Sequence, residues 1–187
     1  MKRLSIFLLL CFFAIASMAQ VEHLKFMGIS IDGKISAFQK ELKKKGFVLN
    51  ELTKYLPKNS FSDCRFYKGV FAGEYVDLVV YFDKETKIVN QTKVHIVCHS
   101  EYQVDKIYEK FYNSLKEKYD NDRIEIGITD EPDKYSFGIF NSDKTAFLGF
   151  IYLGKVIDSY NDKYSVGLEY YDTVNYSKGK DRILNDF

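Results

Sequence analysis

The chain predicts an α+β fold of two tandem repeats. Each is a helix followed by an antiparallel meander, and together they form one sheet with both helices on one face. Three observations carry this. Residues 66–98 hold three consecutive stretches of strand character, with Val76, Leu78, Val80 and Phe82 recurring at every second position. An offset of 69 residues superposes Phe66 on Tyr135, Gly69 on Gly138, Phe71 on Phe140, Leu78 on Phe147 and Phe82 on Ile151; it then drifts to about 72, pairing Val94 with Val166 and Ile96 with Leu168. The same offset of 69 carries Ile35, Phe38 and Leu42 onto Val104, Ile107 and Phe111, the apolar stripes of two helices. The repeats span about 31–98 and about 100–172, with a tail at 173–187.

Taken in order, the chain opens with Met1-Lys2-Arg3, an apolar run over 4–15 and Ser17-Met18-Ala19. This pattern predicts a secretory signal over 1–19, cleaved before Gln20 and too short to span a bilayer. Cys11 lies too early in that segment to accept a lipid anchor. The mature chain, 20–187, has 168 residues, enough for a single domain, and its formal charge falls from +1 to −1 as Lys2 and Arg3 leave. Dispersed, near-neutral charge argues against nucleic acid as the partner. An exported product, periplasmic or secreted, is expected, with no membrane span.

Residues 21–31 read as an extended entry segment, and Asp32 as the N-cap of the first helix. Lys43-Lys44-Lys45 before Gly46 suits the negative end of that helix, with glycine closing it. Residues 47–56 suggest a strand or an irregular edge segment, and Pro57 marks a loop. After the meander, Ser100 and Gln103 form a capping box for the second helix. Val104, Ile107, Tyr108, Phe111, Leu115 and Tyr119 make its buried stripe. Strands follow at 123–128, 135–140, 146–153 and 164–171, with a loop over 156–163. The polar tail suggests a short helix around 182–184.

Cys64 and Cys98 remain in the mature chain, and an even count in an exported protein invites a disulfide. Centring the two turns on Gly73 and Glu85 sets Cys64 level with Phe82 and Ile88. Cys98 is then about 33 Å further along, at about 3.3 Å per residue. A bridge needs Cα atoms within about 7 Å, so two free thiols are expected.

His95, Cys98 and His99 cluster in sequence, but on a strand the two histidines face away from the cysteine and cannot share one ion. Cys98 reads as a core thiol and His95 as an exposed strand residue. Asp130, Glu131 and Asp172 suit loop capping and solvation. No phosphate loop, nucleophile elbow or zinc-ligand helix occurs, so no catalytic residue, metal site or cofactor is expected. If the helices cover Val76, Leu78, Val80 and Phe82 with Phe147, Gly149, Ile151 and Leu153, the other face displays Val79, Tyr81, His95, Leu148, Phe150, Tyr152 and Tyr171. So much aromatic surface points to an interaction site. Tyr81, Phe150, Tyr152 and Tyr171 are its candidate anchors.

Residues 23–29 (HLKFMGI), then Ile31-Asp32-Gly33, Phe38-Gln39-Lys40, Gly69-Val70-Phe71-Ala72-Gly73 and Leu168-Glu169-Tyr170-Tyr171-Asp172, resemble a family of small exported proteins of Bacteroides-type gut bacteria. The resemblance spans nearly all of the mature chain and implies an envelope or secreted setting, with no catalytic residue. The helix-plus-meander duplication is also loosely similar to β-lactamase-inhibitor proteins, which bind a partner on the concave face of the sheet. That likeness concerns architecture alone. The expected function is an exported, non-enzymatic binding module for a protein or polymer ligand. The alternatives are a small cell-envelope hydrolase with an acidic site that the sequence does not locate, and a structural subunit that buries the same face in a homo-oligomer.

Overall fold

The computed structural model describes residues 22–51, 62–119, 123–130, 133–173 and 175. The signal segment, the Pro57 loop, Glu131 and the helix suggested around 182–184 lie outside these residues. A short hairpin, β1 (Lys25–Phe26) and β2 (Ile29–Ser30), leads to α1 (Ile35–Lys44) and then β3 (Val48–Leu49). The meander follows as β4 (Ser62–Phe71), β5 (Glu74–Asp83) and β6 (Val89–Cys98). After α2 (Glu101–Lys118) come β7 (Ile124–Ile128), β8 (Lys134–Phe140), β9 (Phe147–Asp158) and β10 (Lys163–Asp172). Strands β3 to β10 form one eight-stranded sheet, in the order β3-β4-β5-β6-β10-β9-β8-β7, and every pairing is antiparallel.

Both helices lie on one face of this sheet. Phe111 of α2 stacks on Phe71 of β4 at 5.6 Å, and Tyr112 meets Phe137 of β8 edge-on at 5.8 Å. From α1, Gln39 accepts a hydrogen bond from Arg65 of β4. Two ion pairs tie α2 to the sheet, Lys110 to Glu74 at 2.9 Å and Lys155 to Asp105 at 2.8 Å. The core between sheet and helices holds Ile35, Phe38, Leu42, Leu78, Val80, Val94, Ile107, Phe111, Ile151 and Leu168, all buried.

Local chemistry explains most boundaries. The β4–β5 hairpin turns on Ala72 and Gly73, with φ of 50° and 86°, the left-handed pair that a two-residue turn between twisted strands needs. That tight turn levels Cys64 with Tyr81 rather than Phe82, and a register shift between Tyr81 and Phe82 in the β5–β6 pairing levels Phe82 with Val89 rather than Ile88. The expected strand order is unaffected. Cys64 and Cys98 are not joined by a disulfide, and both are buried, on opposite faces with β5 between their strands. At the end of α1, Gly46 N–H bonds to Lys43 O and Phe47 N–H to Leu42 O; Gly46 has φ 86°, which makes a Schellman stop. Ser100 caps α2 by accepting from Gln103 N–H, while the Gln103 side chain accepts from His99 N–H.

Several boundaries differ from the sequence reading. The entry segment is a hairpin, turned at Met27 and Gly28, that buries Phe26 against Phe47, Phe71 and Tyr170. Asp32 does not cap α1. The N-cap is Lys34, drawn into a bridge with Ile88, and the first helical amide is satisfied by Lys87 O. Strand β9 runs to Asp158, through residues read as loop. The 69-residue correspondence is not sustained in the strands either. Phe66 and Tyr135, Gly69 and Gly138, and Leu78 and Phe147 fall on opposite faces, whereas Phe82 and Ile151 share the helix face.

No helix among the described residues is long and apolar enough to cross a membrane.

Candidate functional site

The face away from the helices divides into two regions. On β4 to β6 it is mixed, with Lys68 paired to Asp77 at 3.2 Å and His95 exposed beside Phe66, Val79, Tyr81 and the exposed Val70, Tyr75 and Val97. On β8 to β10 it is aromatic. Phe140, Phe147, Phe150, Tyr152 and Tyr171 form a continuous run, with ring centroids 5.3, 4.8, 5.8 and 5.5 Å apart in that order.

A β-bulge builds this run. The β8–β9 register shifts between Ile139 and Phe140, so that Ile139 faces Gly149 and Phe140 faces Phe147, leaving Leu148 as the extra residue. Leu148 therefore points into the core, where it is buried, and Phe147 turns to the open face beside Phe150. The alternation read from sequence assigned these two residues the other way round. A side-chain period of two has no means of registering one inserted residue.

Phe150, Tyr152 and Tyr171 line a cleft of about 710 Å³ with Lys134, Ser136 and Glu169. Its mouth at the sheet edge is formed by Ile128, Thr129 and Asp130. A smaller extension of about 280 Å³ continues toward Lys93 and His95, and Lys134, Tyr152 and Glu169 belong to both. Of the four anchors expected from sequence, the fold thus brings together Phe150, Tyr152 and Tyr171. Tyr81 shares their face but lies level with Gln91, with the whole of β6 between it and Tyr171 on β10. It is not part of the aromatic run, and burial pushes its hydroxyl pKa up.

Glu169 is the residue that sequence reading passed over. It lies directly across from Lys93 on β6 and Tyr152 on β9. Lys93 Nζ is 2.7 Å from its carboxylate, and Tyr171 donates its hydroxyl at 2.9 Å. Lys134 Nζ sits 5.2 Å from the centre of the Tyr152 ring. Burial acts to raise the Glu169 carboxyl. The hydrogen bond and charge of Lys93, with the Tyr171 hydroxyl and Lys134, outweigh it and hold the pKa below the usual carboxylate range. The cleft floor is therefore an ionised carboxylate set among aromatic rings. The period-two pattern of β10 could have flagged it, since it places Glu169 with Tyr171 and opposite Leu168 and Tyr170.

The cysteine–histidine cluster stays apart. Cys98 is buried on the helix face, where burial raises its thiol pKa, and His95 is exposed on the other. No group of three or more metal-ligating side chains occurs among the described residues. Asp172 keeps the capping half of its reading, through Asn175 N–H, and corrects the solvated half. It ends β10 fully buried and accepts from His23 Nδ1 at 2.8 Å, Leu24 N–H at 3.3 Å and Asn175 N–H at 3.0 Å.

No family model, curated protein or solved structure matches the chain.

Proposed function

We propose that the chain is an exported, non-enzymatic binding module that holds a protein or polymer ligand in the aromatic cleft of its open sheet face. The observation that carries this reading is the run from Phe140 to Tyr171, whose rings Phe150, Tyr152 and Tyr171 line a 710 Å³ cleft with a charged floor. Large rigid rings give contact area for little lost side-chain entropy, and a few placed polar groups fix orientation. Glu169 and Lys93 supply an acceptor and a donor on one side of the rings, and Lys134 a second cation on the other. Export rests on the N-terminal pattern ending at Ala19 and on the likeness to exported proteins of Bacteroides-type bacteria.

The hydrolase alternative draws on one observation, that Asp130 and Glu169 line the same cleft. Paired carboxylates of this kind serve as acid and nucleophile or base in glycoside hydrolysis. Glu169, held ionised by Lys93, is unsuited to the acid role. The binding module is the stronger reading.

The test uses the mature chain from Gln20, immobilised and challenged with a panel of soluble polysaccharides and extended peptides. Retained ligands are then titrated by calorimetry against Tyr152→Ala and Phe150→Ala. Each ring is an anchor whose removal costs about 2 kcal/mol or more, so the affinity should fall at least about tenfold. Tyr81→Ala should change it by far less. Equal affinity of the parent and the Tyr152→Ala variant would sink the cleft as the site. A parent that retains nothing from the panel counts against the binding reading, and turnover of a panel member abolished by Glu169→Gln would establish the hydrolase.

A further inference from the structure

The sheet has two edges, and they differ. At one end β3 has only two residues. At the other, β7 runs Ile-Glu-Ile-Gly-Ile over Ile124–Ile128, and among the described residues no strand pairs with its outer side. Ile126 is 41% exposed and Ile128 85% exposed. Edge strands are ordinarily protected by charges, prolines, bulges or extreme shortness, because a row of unpaired backbone groups invites another strand. In β7 the only such device is the single charge of Glu125, and the β7–β8 pairing is regular from end to end.

The β7 sequence is self-complementary in one register. Two copies paired antiparallel about an axis through Ile126 overlap over all five residues. Ile126 then meets Ile126 of the second copy, Ile124 meets Ile128, and Glu125 meets Gly127. A shift that centres the pair on Glu125 sets that carboxylate against its own copy, which is destabilising. A shift to Gly127 leaves Ile124 without a β7 partner. The Ile126 register also places isoleucine beside isoleucine on the helix face, where Ile126 lies level with Phe137 and Ile128 with Tyr135. It keeps glutamate and glycine together on the cleft face.

We propose that β7 is a dimerisation edge, pairing with β7 of a second copy of this chain in the Ile126-centred register to make one continuous sheet across both. The pairing has a consequence for the cleft. Gly127 lies level with Ser136, a cleft residue, and Ile128 is part of the cleft's mouth. Glu125 of the second copy, opposite Gly127 and on the cleft face, therefore adds a carboxylate to the rim. This inference does not depend on what the cleft binds.

Two measurements test it on the mature chain. In analytical ultracentrifugation across the micromolar-to-millimolar range, the parent should show a twofold rise in mass with concentration. Ile128→Lys and Ile126→Lys should stay monomeric with unaltered circular dichroism, and Phe150→Ala/Tyr152→Ala should dimerise like the parent. In oxidative cross-linking, Ile126→Cys should form a self-linked dimer, because antiparallel cross-strand Cα atoms lie about 4.5–5.5 Å apart and within disulfide reach. Glu125→Cys, facing Gly127, should not. A parent that is monomeric throughout, a dimer unaffected by Ile128→Lys, or a Glu125→Cys variant that links as fast as Ile126→Cys would each overturn the proposal.

Discussion

Glu169 shows how a single charge is kept ionised on a half-buried surface. Burial alone would drive its carboxyl toward the neutral form, and Lys93 at 2.7 Å with the Tyr171 hydroxyl at 2.9 Å reverses that balance. A carboxylate whose folded pKa is depressed stabilises the fold above its unfolded value, about 4.3 for glutamate, and that stabilisation is lost as pH falls through the folded pKa. Urea unfolding of the parent should therefore weaken below about pH 4.5. Glu169→Gln should be less stable than the parent at neutral pH, and the difference should shrink steadily on acidification. A difference independent of pH would show that the charge of Glu169 is not what holds Lys93 and Tyr171 in place.

At the scale of the element, the bulge in β9 decides the character of the open face. Gly149, the residue after the bulged Leu148, has φ 151°, and a Cβ built there would lie 1.9 Å from the carbonyl oxygen of Tyr171 on the adjacent strand. Only glycine accepts both the backbone conformation and the close approach of β10. Gly149→Ala should therefore cost about 2–4 kcal/mol in urea unfolding, combining backbone strain with forced separation of two central strands. By the same geometry it should disturb Phe150 and Tyr171 on either side of the junction. Two-dimensional NMR of the variant should show shifts concentrated along β9 and β10. An unperturbed spectrum with parental stability would mean that the bulge relaxes elsewhere.

Across the whole molecule, Tyr67, Tyr119 and Tyr170 are buried in the core, and Tyr108, Tyr112, Tyr135 and Tyr164 pack against it. Burial, opposed by the charge of Arg123 and aided by that of Glu22, pushes the Tyr119 hydroxyl up to about 12. Burial likewise raises Tyr170, which is fully enclosed, and Tyr108, whose neighbour Tyr135 adds to the effect. A hydroxyl whose folded pKa exceeds its unfolded value of about 10 contributes stability that is complete below that value and is lost as pH rises toward the folded one. Between pH 10 and about 12 the protein should lose its fold cooperatively. Tyrosinate absorbance and far-ultraviolet circular dichroism should change together for the buried group. Gradual ionisation of all 15 tyrosines with the fold intact would contradict this.

Legibility follows from which interactions are local. Both helices, all three strands of the first meander and the Ala72-Gly73 turn rest on residue spacing and local backbone chemistry, and they could be read directly from sequence. So could the absence of a Cys64–Cys98 bridge, which strand order settles by distance. Asp32 was misread as a cap because a long-range bridge, Lys34 to Ile88, starts α1 later than the side-chain chemistry suggests. Asp172 was misread as solvated because its partners, His23 and Leu24, lie about 150 positions away. The candidate site divides in the same way. By itself the sequence determined an α+β chain with aromatic residues on one face of its strands, including Phe150, Tyr152 and Tyr171, because alternation is a property of the backbone. Only the tertiary structure decided that Phe147 joins them, that Tyr81 stands apart and that Glu169 lies at the centre. Those facts depend on one inserted residue and on which strands become neighbours, and antiparallel pairing between distant segments leaves no mark in the spacing of either.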